Sequence, residues 1–119
     1  MHPGFAIGRV YLCRDAVDFR KHINGLSALV ESALALDVFA TGALFVFTNR
    51  RHTQLKILYW DRTGFCLWQK RLEQARFAWP KAVSGTPVEV DSRTLEWLLE
   101  GFDPWATKAH HTLHYQCVA

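Results

Sequence analysis

Two β-prone runs of matched length flank a four-residue turn signal. They are Gln54–Trp60 (QLKILYW), then Asp61-Arg62-Thr63-Gly64, then Phe65–Arg71 (FCLWQKR). Asp at the first turn position and Gly at the last favour a tight reversal, so the two runs must pair as an antiparallel hairpin. Leu55, Ile57 and Tyr59 share one face of the first run, and Lys56, Leu58 and Trp60 share the other. In the second run Phe65, Leu67, Gln69 and Arg71 alternate with Cys66, Trp68 and Lys70. Neither run is cleanly two-sided. Such mixed faces imply burial under a helix at one end and exposure at the other.

The rest of the chain builds outward from this hairpin. Leu44–Thr48 reads as a strand joined to Gln54 by the polar connection Asn49–Thr53, which completes a three-strand meander. Upstream, Arg9–Cys13 (RVYLC) is a short strand. Phe19, Ile23, Leu26, Val30, Ala33 and Leu34 then fall at helical spacing, with Asp18 as the N-cap, an end near Leu36-Asp37, and Gly42 in the turn that follows. Gly25 sits inside that helix at a cost of about 1 kcal/mol relative to alanine, either because another backbone comes close or as a tolerated defect. Downstream, Ser84-Gly85-Thr86-Pro87 is a loop and Val88–Val90 a short strand. Asp91 or Ser92 caps a second helix with an apolar stripe of Leu95, Leu98, Leu99 and Phe102, ending at Gly101. The order β-α-β-β-β-β-α implies an α+β fold, a small antiparallel meander sheet with two helices packed mainly on one face. Residues 1–103 form a single domain, and 104–119 carry no periodicity and read as an irregular tail. The 119-residue length fits one domain with a core that needs no disulfide or metal.

Charge is unevenly distributed. Between Leu44 and Lys81 lie Arg50, Arg51, Lys56, Arg62, Lys70, Arg71, Arg76 and Lys81, against only Asp61 and Glu73. This stretch is more positive than the whole chain, whose formal net charge is +3, so the remainder is net acidic. Half of the 16 aromatic residues lie in the same stretch. Cations neutralise phosphates and flat rings stack on bases, so a basic, aromatic-laced sheet suits a nucleic acid. The candidate phosphate contacts are Arg50 and Arg51 in the hairpin connection, Lys56, Lys70 and Arg71 on the strands, and Arg76 beyond them, with Arg20 and Lys21 at the start of the first helix. Trp60, Trp68 and Trp79 are candidates for stacking, with the core as their alternative place.

Other chemistries find little support. The chain has no GxGxxG, Walker or GxSxG motif, so no cofactor is implied. Cys13, Cys66 and Cys117 form no CxxC pair, and the first two read as core residues in a reducing compartment. A two-metal nuclease needs several acids converging on one point. Near the basic stretch only Asp15, Asp18, Asp61 and Glu73 are available, and turn, cap and local ion pair account for the last three. His22 and His52 offer no better case for a ribonuclease. His110, His111 and His114 lie in the tail, where a metal site is not expected. No apolar run is long enough to span a bilayer and no leader pattern opens the chain, so a cytoplasmic location is expected and no membrane partner.

The residues resemble a known family, the small TnpB accessory proteins (second-open-reading-frame products) of insertion sequence 66 elements, which are distinct from the RNA-guided nuclease of the same name. The matching pieces are Asp18-Phe19-Arg20-Lys21 with Gly25-Leu26; Leu44-Phe45-Val46-Phe47 with Arg50-Arg51; Lys56-Ile57-Leu58 with Trp60-Asp61 and Gly64; Lys70-Arg71-Leu72-Glu73; Arg76-Phe77-Ala78-Trp79-Pro80; and Leu98-Leu99-Glu100-Gly101. They span roughly Gly8 to Asp103 in matching order. Ala75 stands where the family often has Gly, Phe102 replaces the usual Ile, and the tail is not the short basic ending of the family. The resemblance implies a non-catalytic helper of transposition, encoded beside a larger transposase. Its expected partners are element-end DNA and that transposase. The alternative is a protein–protein adaptor for the transposase with no DNA contact of its own.

Overall fold

The computed structural model describes residues 6–81 and 87–106, and the backbone of Tyr115–Cys117. The predicted hairpin is its centre: β3 (Gln54–Asp61) pairs antiparallel with β4 (Gly64–Arg71), from Gln54 opposite Arg71 to Asp61 opposite Gly64. Only Arg62 and Thr63 remain in the loop. Arg62 takes φ 49°, not the negative φ of a type I turn. A two-residue loop between right-twisted strands calls for a positive φ there. β2 (Ala43–Thr48) joins β3 antiparallel and closes the meander.

β1 (Arg9–Leu12) lies beside β2 in parallel, with Val10 opposite Leu44 and Leu12 opposite Val46. A parallel neighbour needs a crossover, and α1 (Ile23–Ser32) supplies it. Gly42 (φ 83°) makes the entry into β2; its carbonyl accepts the N–H groups of Gly8 and Arg9, and a Cβ there would lie 3.2 Å from the Ala6 carbonyl oxygen. On the far side of β1, β5 (Val88–Val90) pairs antiparallel, and β6 (Tyr115–Cys117) pairs with β5. The sheet order is β4-β3-β2-β1-β5-β6. The fold is α+β, with one parallel pair in a mostly antiparallel sheet. The strand at Tyr115–Cys117 and a bond from the Trp105 indole to the Ala78 carbonyl (2.8 Å) bring parts of the expected tail into the fold.

The helices cover opposite faces of the sheet, where the sequence pattern implies one shared face. α2 (Ser92–Leu99) lays Leu95 and Leu98 on Val10, Leu12, Leu44, Val46, Leu55, Ile57, Val88 and Val90. α1 lays Leu26 and Val30 on Phe45, Phe47 and Leu58. Apolar residues at both parities of β2 and β3 are the physical reason: a sheet greasy on both sides must be covered on both sides.

α1 begins later and ends earlier than its apolar spacing implies. Asp18 is not its cap; the helix starts after His22, which makes no side-chain cap bond. The Asp18 carboxylate instead takes the backbone N–H and guanidinium of Arg20, closing a turn ahead of the helix. At the other end Ala35 adopts φ 54°, which stops the helix before Leu36. A Cβ on Gly25 would meet only the Lys21 side chain, so no other backbone approaches there. α2 matches expectation: Asp91 caps it through the Thr94 N–H (2.8 Å), and Gly101 (φ 91°) follows its end. Phe102, assigned to its apolar stripe, is exposed. Residues Ser84–Thr86 of the expected loop, and His110, His111 and His114, lie outside the described residues.

Candidate nucleic-acid interface

Four segments meet at one end of the sheet. The 49–53 connection leaves β2 and enters β3 there, and Leu72, just past β4, donates its N–H to Thr53. Phe77 donates to the His52 carbonyl (2.7 Å). The segment after β1 runs alongside, with the Val17 N–H on the Thr48 carbonyl (2.9 Å). Arg50 shares a surface cavity of about 310 Å³ with Ala16, Val17 and Asp18. This single end therefore gathers Arg20, Lys21, Arg50, Arg51, Arg71 and Arg76, all exposed.

The cations are not equally free. Arg20 holds Asp18 at 2.6 Å, and that contact keeps the Asp18 carboxyl well below its usual range, at about 2. Arg71 holds Glu73 at 2.8 Å. Lys21, Arg50, Arg51 and Arg76 make no ion pair among the described residues. Exposed pairs such as Arg20–Asp18 contribute little to stability and exchange readily with a competing anion.

Lys56 does not belong to this surface. It is 1% exposed, and its ammonium donates to the carbonyls of Phe19 (2.9 Å) and Lys21 (2.8 Å) while lying 4.8 Å from the centre of the Phe19 ring. Burial pushes its pKa down, against a smaller upward pull from Asp18. It cannot meet a phosphate without dismantling that nest. Lys70 points to the α2 side, where it donates to the Leu99 carbonyl (2.7 Å) at the helix C-terminus. Sequence offered both as phosphate contacts on the strands; the turn ahead of α1 takes Lys56 and the end of α2 takes Lys70.

The tryptophans are structural to different degrees. Trp79 packs against the α2-side core, and its indole N–H is shared between the carbonyls of Cys13 (3.2 Å) and Arg14 (3.1 Å). Trp68 is half-buried in the same core. Trp60 sits at the opposite end of the hairpin, edge-on to Phe39 (5.1 Å) and Phe65 (5.0 Å). None forms an open stacking platform at the cationic end. His52, which directly follows Arg50 and Arg51, lies 6.3 Å from the Trp79 ring; burial chiefly, and Arg76 secondarily, hold its pKa below the ordinary value.

Sequence reasoning passed over Arg14. It is 8% exposed, with its Nε enclosed and unpartnered. A charged residue directly following the apolar run of β1 was the available signal. Among the described residues no cluster of His, Cys, Asp and Glu could hold a metal ion, and no helix is long and apolar enough to cross a membrane.

The architecture is that of a small α+β domain, its sheet covered by helices on both faces and with exposed cations at one end. Family comparison makes the assignment more specific. The sequence pattern of IS66 Orf2-like proteins matches residues 8–109, and the chain belongs to that family, the accessory proteins associated with insertion sequences of the IS66 group. Two curated relatives from Sinorhizobium fredii (strain NBRC 101917 / NGR234) are similar to it, both named as uncharacterised proteins. One, y4jC, is 37% identical over 95 residues, covering 80% of each chain. The other, y4hO, is 36% identical over 95 residues, covering 80% of this chain and 81% of its own. No solved structure matches the chain.

Proposed function

We propose that the protein is a non-catalytic helper in transposition that contacts nucleic acid at the element ends through the cationic end of its sheet. The carrying observation is the convergence of Arg50, Arg51 and Arg76, without ion-pair partners among the described residues, beside the loosely paired Arg20 and Arg71. Four chain segments bring them together, although they are scattered over the sequence. Contacts of this kind position a protein on the phosphate backbone and carry little sequence information. Replacing Arg50, Arg51 and Arg76 by alanine should weaken duplex binding for all sequences alike. The dependence of log affinity on log salt should flatten by about 0.9 for each phosphate that is no longer neutralised. Arg62→Ala, at the other end of the hairpin, should change neither. An unchanged affinity and slope in the triple variant would refute the reading.

A second reading, an adaptor for the transposase, has its own support. Phe39 is 50% exposed and leans on Trp60 and Phe65, an apolar patch at the end of the hairpin away from the cations. Co-purification of the transposase from nuclease-treated extract, abolished in Phe39→Ser, would favour it.

A further inference from the structure

Among the described residues the fold buries two cations, Arg14 and Lys56, and treats them differently. Lys56 is fully satisfied by two carbonyls and an aromatic face. Arg14 is 8% exposed, and among the described residues its side chain has neither a hydrogen bond nor a carboxylate partner; its Nε is sealed from solvent. A guanidinium does not deprotonate in proteins, so it cannot escape this cost by becoming neutral. Buried charge is retained where something pairs it. Among the described residues no such partner meets Arg14, and the anionic group of a ligand would supply one.

The location narrows the chemistry. The Arg14 carbonyl accepts from the Trp79 indole, and the Trp79 ring neighbours His52, next to Arg50 and Arg51 in the hairpin connection. Arg76 is close enough to His52 to depress its titration. Arg14 therefore lies directly behind the cationic end. A ligand approaching that end meets the exposed Arg50, Arg51 and Arg76, which favour an anion. The guanidinium fork matches the paired oxygens of a phosphate. We infer that Arg14 is the inner contact of a phosphate site, occupied by one backbone phosphate of the bound nucleic acid and flanked by the surface arginines. This inference rests on the reading that the cationic end meets nucleic acid.

The test compares the wild-type chain with Arg14→Met, which removes the charge and keeps a long, flexible side chain. Inorganic phosphate should raise the Tm of the wild type above that in chloride of equal ionic strength, and Arg14→Met should lose this increment. In chloride the variant should melt no lower than the wild type, because an unpaired buried charge has been removed. Its affinity for a short duplex should fall roughly tenfold, with the salt slope reduced by about 0.9. A variant that unfolds, or that melts well below the wild type in chloride, would show Arg14 to be satisfied within the fold and overturn the inference. So would a phosphate increment that survives in Arg14→Met; if wild type and variant then bind duplex equally, the wider reading of the cationic end stands without this site. Loss of the increment with no duplex binding by either protein would overturn the nucleic-acid assignment, leaving a site for a free phosphate.

Discussion

The ammonium of Lys56 lies 2.8 Å from the backbone carbonyl oxygen of Lys21, so a lysine of the central strand holds the turn that carries two surface cations. Lys56 thus supports Arg20 and Lys21 from below without joining them. Lys56→Met should leave the carbonyls of Phe19 and Lys21 without a donor. An orphaned buried acceptor costs ~1–3 kcal/mol, so urea denaturation should show a loss of about 2 kcal/mol or more. The slope of duplex affinity against salt should stay near that of the wild type. A large fall in that slope would mean that Lys56 reaches phosphate after all.

Ala35 and Gly42 make opposite predictions from the same backbone region. Ala35 holds φ 54°, where an L side chain costs about 1–2 kcal/mol. Ala35→Gly should raise stability by about 1 kcal/mol, net of the freedom that glycine adds to the unfolded chain. At Gly42, φ 83° and the neighbouring Ala6 carbonyl leave no room for a Cβ. Gly42→Ala should therefore destabilise. Equal midpoints for the two variants in chemical denaturation would contradict this account.

His52 makes stability depend on pH near neutrality. Burial and Arg76 set its folded pKa below the unfolded value of 6.5, so the folded state binds fewer protons than the unfolded one. Its contribution is therefore complete above about pH 6.5 and is lost as pH falls through 6.5 toward the folded value. Asp18 acts in a separate window, its contribution declining only as pH drops from about 4 toward 2. His52→Asn, which tolerates the φ of 58° at this position, should flatten the decline between pH 7.5 and 5.5. Denaturation midpoints at those two pH values check it.

Burial lifts the Cys13 thiol to about 11. At pH 8 it is almost wholly protonated as well as enclosed, and thiolate is the reactive form. Cys13 should resist an aromatic disulfide reagent in the native protein and react once denaturant opens the sheet. A Cys13→Ser variant identifies its share of the signal; rapid native labelling at this position would contradict the packing described.

The meander and the β5–α2 unit were legible in sequence because their signals are local. Alternation, the Asp61–Gly64 reversal, the Asp91 cap and Gly101 all act within a few residues. The start of α1 was not legible. Phe19 fits the helical spacing, but the Asp18 carboxylate is taken by Arg20, and the carbonyls of Phe19 and Lys21 are taken by a lysine from a distant strand. The surface cations of the loops were readable as a cluster because exposure suits them in any fold. Lys56 and Lys70 were misread because the groups that take them, in the turn ahead of α1 and at the end of α2, are distant in sequence from their own strands. Arg14 was missed because its burial depends on segments distant in sequence, among them the one whose Trp79 indole donates to its carbonyl.

Helices on both sides thicken the sheet, so the molecule, 41 × 28 × 28 Å, has no thin dimension. Among the described residues the central strands β2 and β3 are largely covered, leaving little open sheet on which unpaired bases could be laid out, and a duplex bound as proposed would meet a narrow rim of charge. On the proposed function, such a rim would neutralise only a few phosphates, so one copy alone would grip DNA weakly at physiological salt. Durable residence would then depend on tethering to a second DNA-bound body, where effective concentration supplies what the rim lacks.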